Sequence, residues 1–356
     1  MLKIDRYIMQ RFLLGVLPVL ILLLALFSFM ALAQELESVG EGNFKLPDAL
    51  MIIFLTTPKR IVELLPVTAL LGGLVGLGAM ANNHELMAIR TNGLSKRRIA
   101  LTISVLAVIL GIGISLLQFM VVPGFEREAA QLRGKALFDT EKPGSSGEFW
   151  TRNGNFMIRV NAVRFNRTLA DVEIYSMNAD GALKQLIQAD SADYAGEDNW
   201  LLSGVTNSEI NPPHVREVTE DKLLWKNLLS AKQASVLVLP LEALAPNDLL
   251  HTIDNLKRNG LDTQSYEIVL WQQISLLPGL LAMALLSLPF LLGSVRSVSA
   301  SQRAMIGGLI GIGFYLIQQL SGHMAGILGI NPALVIITPS LILLAIAIMA
   351  IRHRHL

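Results

Sequence analysis

The feature that most constrains this chain is a polar stretch at residues 82–98, NNHELMAIRTNGLSKRR, caught between uncharged apolar runs at residues 64–80 and 99–122. Crossing the hydrocarbon core of a bilayer takes roughly 20 helical residues at about 1.5 Å each, and each run reaches that length with its flanks. The polar stretch is therefore a turn between two membrane crossings. It holds Arg90, Lys96, Arg97 and Arg98 against the single acid Glu85, and a basic bias in short turns marks the cytoplasmic side.

Composition enters as a check on this reading. Hydrophobic residues make up 52% of the 356 and charged residues 16%, too apolar for an ordinary soluble domain yet with a polar remainder that must sit outside the membrane. The absence of cysteine excludes disulfides, thiolate metal sites and cysteine nucleophiles. A net charge of +1 gives no reason to expect nucleic acid.

Four further runs complete a set of six spans. The first, residues 12–33, follows Lys3, Arg6 and Arg11 and contains Pro18. A secretory signal peptide shares the basic start and the small-x-small site at Ala31-Leu32-Ala33, but its apolar core is about 7–15 residues, so an uncleaved helix is favoured. Residues 47–55 read as a short outer helix ended by Thr57-Pro58, before a second span that carries Pro66, Gly72 and Gly76. The Gly-x-x-x-Gly spacing is a weak signature of close helix packing. The third span is 99–122, closed by Pro123-Gly124, with Gln118 its one strongly polar interior residue. Residues 268–293 form the fourth, with Tyr266 and Trp271 near its outer interface. Residues 304–320, which hold Gly307, Gly308, Gly311 and Gly313, form the fifth. An outer turn at 321–331 contains His323, and the sixth span is 333–351 with Pro339.

Charge tests the topology. The cytoplasmic pieces hold Lys3, Arg6, Arg11, Arg90, Lys96, Arg97, Arg98, Arg296, Arg303, Arg352 and Arg354 against Asp5 and Glu85, a net of +9 in a chain whose total is +1. Both termini thus lie inside, and the segment between spans three and four lies outside.

That segment, 125–264, changes character. Turn signals at Pro143-Gly144, Asn153-Gly154, Asp180-Gly181 and Asn211-Pro212 bound short apolar or alternating runs at 156–160, 172–177, 199–205 and 236–239, the pattern of β-strands in a sandwich or barrel-like roll. Asn247-Asp248 caps an amphipathic helix through Lys257. The organisation predicted is 1–124 with spans 1–3, 125–264 as an external β domain with flanking helices, and 265–356 with spans 4–6.

Catalysis by the chain has little support. No phosphate loop, zinc helix or nucleophile elbow occurs, and the intramembrane serines Ser28, Ser104, Ser115 and Ser287 share no span with a His or Lys base. Nor do the spans carry the interior charges of a proton or ion relay, so transport would need force supplied from outside the chain.

The amino-terminal Asp5-Arg6-Tyr7-Ile8, the Pro66 and glycine-rich second span, the stretch from Asn83-His84-Glu85 through Asn92-Gly93-Leu94-Ser95, and Pro278 in the fourth span together carry a family resemblance. With the interposed external domain, the chain resembles the permease subunits of the ABC transporter that exports lipopolysaccharide from the inner membrane of Gram-negative bacteria, more the G-type than its F-type paralogue. The resemblance covers essentially the whole chain. It implies an α-helical membrane protein of six transmembrane helices with an inserted periplasmic β-jellyroll, and no cofactor of its own. ATP and Mg would be bound by a dimeric cytoplasmic ATPase. The other partners implied are the paralogous F-type permease, a bitopic periplasmic bridge protein (the C-type subunit) and lipopolysaccharide itself, with spans 1, 2 and 5 lining the lipid cavity. The family's coupling helix maps to about residues 82–91, with Glu85 the polar contact to the ATPase, Arg90 beside it, and Gly93 ending the helix.

One departure concerns the outer end of span 1. Related permeases can carry lysines there, where this chain has Ala31, Glu35, Glu37 and Ser38. Lys45, Lys59 and Arg60 are then the candidates for lipid-phosphate contacts, although Lys59-Arg60 serve equally as interfacial anchors. The alternative function is a membrane-anchored envelope scaffold, which would assemble without lipid-dependent stimulation of an ATPase.

Overall fold

A computed structural model of the chain describes residues 3–137, 149–153, 156–163, 168–178, 183–196, 199–211, 214–226, 228, 241, 244–258, 260, 262–292 and 300–353. Six helices in it are long and apolar enough to cross a membrane. They are α1 (Lys3–Glu37), α2 (Leu46–Asn82), α4 (Lys96–Met120), α7 (Gln264–Leu292), α8 (Ala300–Leu328) and α9 (Pro332–His353); shorter helices are α3 (Glu85–Thr91), α5 (Val122–Leu137) and α6 (Pro246–Arg258).

Two expectations about helix ends need correction. The short outer helix at 47–55 is not separate: α2 runs unbroken for 37 residues through Pro58 and Pro66, about 55 Å. Pro58 has no N–H for the Phe54 carbonyl, and side chains on either side of it donate to the adjacent carbonyls. Thr56 donates to the Ile52 carbonyl and Thr57 to the Ile53 carbonyl, both at 2.8 Å, and Arg60 Nη1 reaches the Ile53 carbonyl at 3.2 Å. The third span does end just before Pro123-Gly124, at Met120, and the pair sits in the first turn of α5, where proline's missing donor has no intrahelical role. The outer turn at 321–331 is also shorter than expected: α8 continues to Leu328. Gly329 turns the chain at φ 62°, and Asn331 Oδ1 accepts from the Ala333 N–H at 3.0 Å to start α9.

α2 and α7 form the centre of the bundle. The apolar stretch of α2 is 78% buried and that of α7 67%, against 17% for α1 and α9 and 22% for α8. One apolar core joins Ile8, Phe12, Leu70, Leu77, Ile103, Met283 and Leu288. The partner of Gly72 and Gly76 is α1. A β-carbon at Gly76 would lie 2.2 Å from the Arg11 carbonyl oxygen, and one at Gly15 would lie 2.1 Å from the Gly72 carbonyl oxygen, so the two backbones touch directly, as small residues in membrane helices permit. The glycines of α8 divide: Gly307 and Gly311 meet Leu74 and Val67 of α2, whereas Gly308 and Gly313 face open space.

The described residues of the inserted domain form one antiparallel sheet of six strands, β1 (Phe149–Asn153), β2 (Phe156–Val163), β3 (Leu169–Met177), β4 (Leu183–Gly196), β5 (Asn199–Asn211) and β6 (His214–Lys226), in the order β1-β2-β3-β4-β5-β6. Neighbours in sequence are neighbours in the sheet. Among the described residues this is an up-and-down meander, without the Greek-key crossovers a jellyroll contains. Register places Val160, Val172, Ala189 and Val205 in one cross-strand row, and all four are buried with Trp200 and Leu202 on the apolar face. Arg159, Glu173 and Gln188 form the next row, which points to the opposite face because side chains alternate along a strand. The expected strand at 236–239 lies outside the described residues, as does Arg296.

Candidate functional site

A seven-residue helix is not stable alone in water, so what holds α3 shows how the turn between α2 and α4 is built. At its start His84 takes φ 60°, ψ 6°, the left-handed region that few non-glycine residues occupy. At its end Gly93 has φ 94°. The Gly93 N–H donates to the Arg90 carbonyl at 3.1 Å and the Leu94 N–H to the Ile89 carbonyl at 3.4 Å, the paired bonds of a Schellman motif. Ser95 Oγ then accepts from the Arg98 N–H to cap α4. Leu86 is buried, and Ile89 and Leu94 pack against the same bundle core. Met87 is 65% exposed, and Arg90 and Thr91 are exposed beside it.

Glu85 faces α1. The Tyr7 hydroxyl donates to Glu85 Oε2 at 2.9 Å, and Arg11 donates from Nε and Nη2 to the Tyr7 oxygen at 2.8 and 2.6 Å. Arg11 Nη2 lies 3.8 Å from Glu85 Oε1, and the guanidinium carbon is 4.9 Å from the Tyr7 ring centre. A second contact lies at the same end of the bundle: buried Asp5 accepts from Arg98 Nη2 at 2.9 Å and from the Thr102 hydroxyl at 3.0 Å. A third joins Arg303 Nη2 of α8 to Asn82 Oδ1 at 2.6 Å. The structure thus places Glu85 and Arg90 on different faces of one short helix, with Gly93 just past its end.

Asp5, Tyr7 and Arg11 belong to this site, yet sequence reasoning used Asp5 and Arg11 as topological charges and Asp5 and Tyr7 as part of the family resemblance, and gave none of them a contact. A signal was present. Asp5 and Glu85 are the lone acids of two otherwise basic segments, and an acid of the minority sign beside a membrane end has a basic partner within reach.

The three candidate phosphate ligands are not gathered. Lys45 is exposed at the start of α2, where its N–H donates to Asp48 Oδ2 at 2.9 Å. Lys59 is 14 residues further, about 21 Å along the axis, and Arg60 is engaged with the Ile53 carbonyl. Glu35, at the outer end of α1, is paired with Arg133 of α5. Lys59 and Glu63 line a cavity of about 560 Å³ between α2, α7 and α8, with Gln272, Gln318, Tyr315 and His323 on the facing helices. The hydrogen bond from Gln318 Nε2 to Ser275 Oγ crosses from α8 to α7 at this cavity. A mainly apolar cavity that carries Lys59, Glu63 and glutamine side chains suits a ligand with a polar head and an apolar body.

The architecture can be set beside known proteins. A model of the family described as "Lipopolysaccharide export system permease LptF/LptG" matches residues 6–353. The lipopolysaccharide export system permease protein LptG of Escherichia coli (strain K12) is 27% identical over 341 residues, covering 95% of this chain and 94% of that protein. Its counterpart from Haemophilus influenzae (strain ATCC 51907 / DSM 11121 / KW20 / Rd) is 28% identical over 340 residues, covering 95% of each. Since the family match runs from the first turn of α1 to the end of α9, the chain belongs to the lipopolysaccharide export system permease LptF/LptG family.

Proposed function

We propose that the chain works as the G-type half of the permease, in the Gram-negative inner membrane, with both termini cytoplasmic and the sheet periplasmic. The family makes it a non-catalytic permease subunit. ATP and Mg would be bound by a dimeric cytoplasmic ATPase, and the paralogous F-type permease would complete the lipid cavity. The sheet would meet the bitopic bridge protein. The observation that carries the coupling part is the two-faced α3. Its exposed Met87 and Arg90 lie at the end of the bundle that bears both termini, while Leu86, Ile89 and Glu85 hold the helix to the spans. An ATPase docking on the exposed face would therefore push on a helix already fastened to the bundle.

The lipid path follows from exposure. α1 and α8 leave long apolar faces uncovered, including Leu22 and Phe29 of one and Leu309 and Ile327 of the other, and apolar surface of this extent meets either acyl chains or a partner's spans. Lys45, exposed beyond α1, is the candidate for lipid phosphates, with Lys59 lining the cavity and Arg60 bracing the backbone. Purification of the chain with its paralogue and ATPase tests the reading. Wild-type complex should release bound lipopolysaccharide only with ATP. Met87→Glu should weaken ATPase association while α3 stays folded, because that side chain is mostly exposed. A scaffold would bind the same partners and release no lipid with ATP.

A further inference from the structure

The contacts of Glu85 extend the coupling reading in a direction that the chain's connectivity does not supply. Covalently, α3 joins α2 and α4, so a push on α3 would move those two spans. The inner end of α1 is not in that path. It is nonetheless fastened to both sides of the turn. Tyr7 and Arg11, four residues apart and so on one face of α1, hold Glu85 in the first turn of α3. Asp5, on the same helix end, holds Arg98 and Thr102 in the first two turns of α4. The grip on α3 is polar and partly solvated, with Arg11 and Glu85 side chains 40% and 30% exposed. It is therefore a contact that can transmit displacement and also be released, unlike the glycine contact between α1 and α2, where the backbones touch.

We infer that Tyr7 and Arg11 are positioning residues for coupling: through Glu85 they make the coupling helix and span α1 move together, so that ATP-driven displacement of α3 reaches a span whose apolar face is largely uncovered. Glu85 in this arrangement holds α1 from its side of α3, while Met87 and Arg90 stand exposed toward the ATPase. Tyr7 sets the geometry. Its hydroxyl donates its one proton to Glu85 and accepts from Arg11, a division of roles that a hydroxyl can meet and a phenylalanine ring cannot.

The inference rests on the coupling reading above, and its test separates the two. Tyr7→Phe keeps the ring and removes only the hydroxyl, so the complex should assemble and bind lipopolysaccharide as before. Lipopolysaccharide released per ATP hydrolysed should fall at least about fivefold, the lower end of ordinary coupling factors. Spin labels at Asn92, just past α3, and at Leu36 report the motion directly. In wild type both environments should shift on ATP binding, and in Tyr7→Phe the shift at Leu36 should shrink while that at Asn92 persists. Exchanging the charges, Glu85→Arg with Arg11→Glu, should restore coupling relative to Glu85→Arg alone. If Tyr7→Phe releases lipid at the wild-type ratio, or the exchange fails to rescue, that link is wrong and Glu85 acts elsewhere. If wild type itself shows no ATP-dependent release, the coupling reading fails first.

Discussion

At Gly76 a methyl group would stand 2.2 Å from the Arg11 carbonyl oxygen, and at Gly113 it would meet nothing within 4 Å. Alanine is the better helix former by about 1 kcal/mol, so the two sites should respond in opposite directions. Gly76→Ala should lose about 1–3 kcal/mol by overpacking a backbone that cannot yield, seen as a lower thermal midpoint of the purified protein. Gly113→Ala should be neutral or slightly stabilising. At Gly93 space is open but φ is 94°, so Gly93→Ala should cost about 1–2 kcal/mol through the left-handed backbone alone. Faster amide exchange confined to α3 and its flanks would show it, and unchanged exchange would argue against the Schellman ending. These residues also mark how far sequence can be read. Gly93 as a helix end was legible because its requirement is local. The Gly72-x-x-x-Gly76 spacing was legible as a packing surface, but its partner Gly15 was not, because a lone glycine in a long apolar run carries no sign of what it touches.

Elements were legible where one physical signal dominated. Span number followed from apolar length, whereas the start of α2 did not: Thr57-Pro58 carries a stop signal, yet the helix runs through it, with the threonine hydroxyls and Arg60 turned back onto the Ile52 and Ile53 carbonyls. In the sheet, alternation located β2, β3 and β5, but β6, with its run Glu217 to Asp221 largely exposed, has no apolar alternation to find. The polar face of the sheet supports a pH prediction. The Tyr175 hydroxyl holds the Glu173 carboxyl below its ordinary range, opposed by burial and helped by Arg159 and Gln188. A lowered folded pKa adds stability that is present above the unfolded value, about pH 4, and is lost as pH falls through the folded value. Tyr175→Phe should therefore reduce the loss of sheet stability on acidification below about pH 4. Tryptophan fluorescence follows this, since Trp150, Trp200 and Trp225 lie in the sheet and Trp271 alone lies outside it. An acid response identical to wild type would remove Glu173 as a source of the pH dependence.

For the whole molecule, two central spans, α2 and α7, support three that are mostly uncovered, α1, α8 and α9. The end bearing the termini is fastened by polar contacts at Asp5, Tyr7, Asn82, Glu85, Arg98 and Arg303, and the opposite end carries the sheet. Such a chain has one rigid centre, a short helix offered at one end, and apolar faces left for lipid or a partner subunit. The broad organisation was readable from charge and hydropathy; the fastening was not, because residues 78 to 221 apart in sequence make those contacts. The most direct test of the central claim is ATP-dependent release of lipopolysaccharide from proteoliposomes holding the complete complex, with wild-type chain or with Met87→Glu combined with Arg90→Glu. The account predicts release that requires ATP in wild type and falls by tenfold or more, about 1.4 kcal/mol of lost coupling, in the variant with lipopolysaccharide binding intact. Release at the wild-type rate from the variant, or release that needs no ATP, would contradict it.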